Sequence, residues 1–128
     1  MTVPFWCLVV IVFLPIFLAF TGAYFRGKQF GSADNNNPRA QAAQLEGAGA
    51  RAYAAQANAW EALAMFSTAV FVSHLAGVPA SEAAPFTIAF VVVRVLHPIF
   101  YIRDMAVPRS LSFIIGMLCI VALFVKAA

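Results

Sequence analysis

Apolar positions along this chain gather into four blocks separated by polar stretches. The first block, Val3–Phe25, contains no charged residue and is long enough to cross about 30 Å of hydrocarbon as a helix. A retained span fits it better than a cleaved signal peptide, which would have a basic start and a shorter apolar run. Pro15 near its middle predicts a kink that neighbouring helices can accommodate. The polar stretch Arg26–Gly49 follows, with Gly, Asn, Ser and Pro as turn formers. A short amphipathic turn is expected over Ala40–Gly47, broken by Gly47 and Gly49. The second block runs from Arg51 to Ala76 and ends at Gly77-Val78-Pro79. Ser81 and Glu82 mark the next helix start, and a third span covers Ala83–Arg103 with Arg94 inside it. Pro98 predicts a bend there, drawing His97 away from ideal helix. The fourth span, Pro108–Lys126, follows a short turn.

Four such segments with antiparallel neighbours predict an all-α membrane protein, an up-down bundle of four transmembrane helices in one domain over residues 1–128. Composition agrees: 63% of residues are hydrophobic, 10% are charged, and mean hydropathy is +0.88, which excludes an ordinary soluble domain. The net charge of +3 is too small and dispersed for a nucleic-acid surface. The basic residues act instead as topology signals. Arg26, Lys28 and Arg39 lie in the first connection and Arg103 and Arg109 in the third, while the second has none. Loops 1 and 3 are therefore expected in the cytoplasm and both termini outside. Cys7 and Cys119 sit in apolar runs without metal-ligand spacing and are read as small hydrophobes; no metal is expected.

The second block is the unusual one, because it carries Gln56, Asn58 and Glu61 into lipid that cannot hydrogen-bond them. Arg51, Asn58 and Glu61 fall near one helical stripe. Glu61 lies about 15 Å up the second helix from Arg51, and Arg94 about 13.5 Å up the third from Arg103. Antiparallel neighbours put these two at one depth, so a buried Glu61–Arg94 ion pair is expected. Asn58 then falls near His97, and Arg51 near Tyr101 and Arg103. Arg94, His97 and Tyr101 share a face of the third helix. His74 and Trp60, lying apart, are read as structural. Two readings stand: a polar contact that holds the bundle together, or a pocket for a charged ligand.

No Ser-His-Asp set, metal cluster or phosphate-binding glycine loop is present. Several guanidinium groups with an amide, a phenol and one carboxylate suit a small zwitterionic ligand carrying several carboxylates. A nearby Arg and hydroxyl would also favour the thiolate form of a ligand thiol.

These residues resemble a known family. Gln56-Ala57-Asn58-Ala59-Trp60-Glu61 with Phe66 is similar to the NxxE signature of the MAPEG family, the membrane-associated proteins in eicosanoid and glutathione metabolism. Arg94-Val95-Leu96-His97 with Tyr101, then Arg109-Ser110, resembles its third-helix motif and the Arg-Ser after it, and Asp34-Asn35 through Pro38-Arg39 resembles a loop element of bacterial members. The resemblance implies a homotrimer in a bacterial inner membrane, with glutathione as the bound thiol substrate in clefts between protomers. It implies glutathione contacts from Arg26, Arg51, Gln56, Asn58, Glu61, His97 and Tyr101, with Arg26 reaching in from the neighbouring protomer. It implies catalytic roles for Arg109, Ser110 and Tyr101 in a transferase or peroxidase acting on hydrophobic electrophiles or lipid hydroperoxides. The family's second arginine of the second helix is Ala54 here, which removes one expected glutathione contact. The alternative is a non-catalytic protein on the same scaffold, with a structural polar core or a different small ligand.

Overall fold

The structure, a computed structural model, describes residues 1–128 as five helices: α1 Val3–Phe30, α2 Pro38–Ala42, α3 Gly47–Leu75, α4 Ala80–Ile102 and α5 Ala106–Ala127. Contacts along their lengths fix the directions. Phe5 of α1 meets Phe71 and His74 of α3, Arg51 of α3 meets Ile102 of α4, and Glu82 of α4 meets Lys126 of α5. The four long helices therefore alternate in direction. α3 and α4 form the centre, each packing against both other long helices.

Packing falls on the faces that the apolar periodicity selects. The buried stripe of α3 is Ala52, Ala55, Ala59, Ala62, Phe66 and Ala69, a spacing of three and four residues that forms one helical face. Its small side chains let helix backbones approach closely. At the centre Phe66 stacks on Phe90, ring centroids 4.1 Å apart and nearly parallel. Outward-facing positions such as Phe13, Phe17, Phe20, Leu118 and Val125 remain exposed and apolar, as a lipid-facing surface requires.

Gly22 shows how close the α1–α3 approach is, since a Cβ there would sit 2.6 Å from Cε2 of Tyr53. Gly22→Ala is expected to destabilise the bundle by about 1–3 kcal/mol through this overpacking. Equilibrium unfolding in mixed micelles checks it, and Tyr53→Ala in the same background should recover part of the loss.

Several boundaries differ from the sequence expectation. α1 continues to Phe30, five residues past the expected end, and closes on Gly31 in the left-handed conformation at φ 82°. The expected turn over Ala40–Gly47 becomes the earlier helix α2, which starts at Pro38, a residue whose fixed φ suits a first helical turn. The second long helix begins at Gly47, four residues before the expected start at Arg51, so Gly47 and Gly49 lie in its first turn. Gly49 is buried where a Cβ would meet Leu45 at 2.9 Å and Phe25 at 3.2 Å, so its lack of a side chain is used for packing. α4 runs unbroken through Pro98, with His97 and Pro98 both buried.

Three helices, α1, α4 and α5, are long and apolar enough to cross a membrane. α3, the longest at 29 residues, is not among them on hydropathy, because its first half carries Arg51, Gln56, Asn58 and Glu61. Its polar half belongs to the candidate site.

Candidate functional site

The polar residues of α3 and α4 meet, three residues along α3 from the expected pairing. Arg94 is buried, and its Nη2 donates to Asn58 Oδ1 at 2.6 Å and to the Asn58 carbonyl at 3.0 Å. The Asn58 amide in turn donates to Glu61 Oε2 at 3.2 Å. The expected direct Glu61–Arg94 pair is thus a relay through Asn58, and Glu61 lies on the exposed surface of the chain. Helical geometry explains the difference. Three residues advance about 300°, leaving Glu61 about 60° round from Asn58, enough to turn it away from α4. Seven residues return almost to the start, so Arg51 and Asn58 do share a face.

Beside this relay, between α3, α4 and α5, lies a cleft of about 370 Å³ lined by Asn58, His97, Tyr101, Arg109, Ser110, Phe113 and Ile114. His97 is only 4% exposed and its imidazole makes no hydrogen bond within the chain; the ring packs at a steep angle on Tyr101, centroids 5.7 Å apart. The Arg109 guanidinium carbon sits 4.7 Å over the opposite partner of that stack, the Tyr101 ring, and no carboxylate lies within ion-pair distance. The cleft therefore presents an unpaired cation, a phenol, an imidazole and a hydroxyl with no acid among its lining residues. Its chemistry is that of an anion site. Phe113 and Ile114 form the apolar wall that sequence reasoning passed over. They lie four residues after Arg109 and Ser110, a spacing that places each pair on one face of α5.

The remaining expected residues lie elsewhere in the single chain. Gln56 and Glu61 do not line the cleft. Arg51 is engaged at the end of α4: its Nε donates to the Ile102 carbonyl at 3.1 Å, and its Nη1 lies 3.7 Å from Asp104. Arg26 is buried and ties down the first connection, its Nη1 donating to the Asp34 carbonyl at 2.7 Å and to Gln41 Oε1 at 3.2 Å. Gln41 closes the knot by accepting from the Asp34 amide and donating to the Ser32 carbonyl.

The Asp34 carboxylate completes that loop by accepting from the Asn36 and Asn37 amides at 2.8 and 3.1 Å. The Asn37 and Asn36 amides hold its carboxyl below the usual carboxylate range. The folded pKa being the lower one, its support for the loop is complete above the unfolded value near about 4 and is lost as pH falls through the folded value. Limited proteolysis between Phe30 and Arg39 is expected to be flat from neutral pH down to about 4 and to accelerate below it; Asp34→Asn should abolish that acid step.

A second cavity of about 290 Å³ lies at the far end of the bundle, among Phe5, Ser73, His74, Ala83, Thr87 and others. It contains no Arg, Lys, Asp or Glu, and its Ser73 hydroxyl already donates to the Leu123 carbonyl at 3.1 Å. No cluster of His, Cys, Asp and Glu that could hold a metal ion is present.

The helical bundle, its apolar surface and its polar cleft define an integral membrane protein. Comparison with protein-family models matches residues 3–128 to the MAPEG family, and the chain belongs to that family. Searches of curated proteins and of solved structures return no match.

Proposed function

We propose that the protein is a glutathione-dependent transferase or peroxidase that acts on hydrophobic electrophiles or lipid hydroperoxides. The observation that carries this reading is the unpaired Arg109 guanidinium over Tyr101 in a cleft whose other wall is apolar. Family membership supports it, since the family includes glutathione transferases and peroxidases. Arg109 stabilises the glutathione thiolate, with Tyr101 or Ser110 donating a hydrogen bond to it. Asn58 and His97 orient the tripeptide, and Phe113 and Ile114 face the hydrophobic co-substrate. In conjugation the thiol gives its proton to water and the thiolate sulfur attacks the electrophilic carbon, forming the thioether as a leaving group such as halide departs with the bonding pair.

We further propose that α3 is a fourth span and that the protein works as a homotrimer in a bacterial inner membrane. A carboxylate at the middle of α3 facing lipid is costly, and a second copy packed on that face would cover Glu61. Gln56 and Glu61 then contact glutathione across the interface between copies, and Arg26 joins them only by exchanging its bonds to Asp34 and Gln41 for the ligand. Arg26, Lys28, Arg39, Arg51, Arg103 and Arg109 gather at the end that holds the α1–α3 and α4–α5 connections, which favours that end as cytoplasmic.

The test is glutathione-dependent consumption of an aryl electrophile or a lipid hydroperoxide by protein in vesicles. Turnover above the uncatalysed rate supports the reading, and none with either co-substrate class contradicts it. Ala54 and the engagement of Arg51 favour the second reading, a non-catalytic protein on this scaffold. On that reading Glu61→Gln lowers stability and changes no ligand binding.

A further inference from the structure

The end of α4 is built differently from the other helix ends. α3 closes on Gly77 at φ 80°, with the Val78 amide donating to the Ser73 carbonyl at 3.0 Å and the Gly77 amide to the His74 carbonyl at 3.1 Å. This is the Schellman arrangement, whose left-handed position glycine fills without strain. α4 closes on the same pair of bonds. The Met105 amide donates to the Phe100 carbonyl at 2.9 Å and the Asp104 amide to the Tyr101 carbonyl at 3.1 Å. Its left-handed position is held by Asp104 at φ 61°, the one non-glycine residue of the chain with a positive φ. Aspartate tolerates that conformation better than most residues but less well than glycine.

What holds the strained position comes from α3. Arg51 Nε donates to the carbonyl of Ile102, the last residue of α4, an acceptor that the two Schellman bonds leave open. Its Nη1 lies 3.7 Å from Asp104 Oδ2. The turn held in this way leads directly into the cleft. α5 starts at Ala106, the Arg109 amide donates to the Met105 carbonyl at 3.2 Å, and the Arg109 guanidinium packs back over Tyr101 in the last turn of α4.

We infer that Arg51 is a positioning residue: with Asp104 it locks the α4–α5 turn, so that Arg109 and Ser110 on α5 face His97 and Tyr101 on α4. Arg51 acts through the turn, not by touching the thiol substrate. The consequence for turnover rests on the glutathione reading, whereas the lock itself does not. Glycine at position 104 would hold the left-handed turn unaided, so the lock predicts a specific rescue.

The experiment compares Arg51→Ala, Asp104→Gly and the double variant in detergent micelles, by hydrogen exchange over residues 103–110 and by glutathione-dependent kinetics. Arg51→Ala is expected to speed exchange of the Asp104 and Met105 amides roughly tenfold, the effect of one lost hydrogen bond. Its kcat is expected to fall by a larger factor than its KM for glutathione rises. Adding Asp104→Gly to Arg51→Ala should restore most of the protection and most of kcat. Wild-type exchange in Arg51→Ala, or a kcat loss that Asp104→Gly leaves unrescued, overturns the inference. A wild-type protein with no glutathione turnover overturns the functional reading instead, and the exchange arm still decides the lock.

Discussion

Arg109→Ala is expected to lower glutathione-dependent turnover by about 10²–10³-fold, the usual effect of removing one group that stabilises reacting charge. The fold should survive the change. Arg109 is partly exposed, its side chain makes no ion pair, and its one resolved side-chain interaction is the stack on Tyr101. Loss of that stack costs about 0.5–1 kcal/mol, which a bundle of four long helices tolerates. Arg109→Lys should recover only part of the rate, because a compact ammonium cannot stack on the phenol as the planar guanidinium does. Initial rates with a hydrophobic electrophile, beside the elution position of the solubilised protein, check both halves. Unchanged turnover would remove Arg109 from the mechanism.

The largest effect on stability is expected at Asn58. Arg94 is 3% exposed, both of its resolved hydrogen bonds go to Asn58, and its Nε has no partner. Asn58→Leu keeps the volume near the helix but strips the side-chain acceptor from a buried guanidinium. A loss of about 3 kcal/mol is expected, since the buried guanidinium loses its shortest hydrogen bond and keeps only the Asn58 carbonyl. Replacing Arg94 by Met as well removes the charge and should restore most of the stability. The two sites touch, so the double variant should be far from the sum of the single ones. Equal losses in Asn58→Leu and in the double variant would mean that Asn58 acts through its own packing and not through Arg94.

The helix-forming blocks and both polar faces were legible in the sequence. Arg94, His97 and Tyr101 recur at three and four residues, and the structure places them on one face of α4 toward α3 and α5. The depth estimate also brought Arg51 to the end of α4, where it meets Ile102. What was not legible depends on rotation and on backbone acceptors. Glu61 sits at the right depth for Arg94, but its offset about the helix axis hands the contact to Asn58. Residue letters show a free Arg51 side chain; they do not show that a carbonyl at a helix end lies open to it. The same limit applies to Gln41, which looks like any loop amide until Arg26 and Asp34 converge on it. Gly27 and Gly49 signal breaks by local propensity, yet both lie within long helices; at Gly49 the neighbouring Phe25 and Leu45 show that tertiary packing prevails.

The central claim is that the cleft between α3, α4 and α5 takes glutathione through Arg109. Calorimetric titration of glutathione into the detergent-solubilised protein and into Arg109→Ala tests it most directly. Saturable binding to the wild-type protein is expected, weakening at least tenfold in the variant through loss of about 1.4 kcal/mol or more of charge-assisted contact. Absence of binding at millimolar glutathione, or equal binding to both proteins, would contradict it.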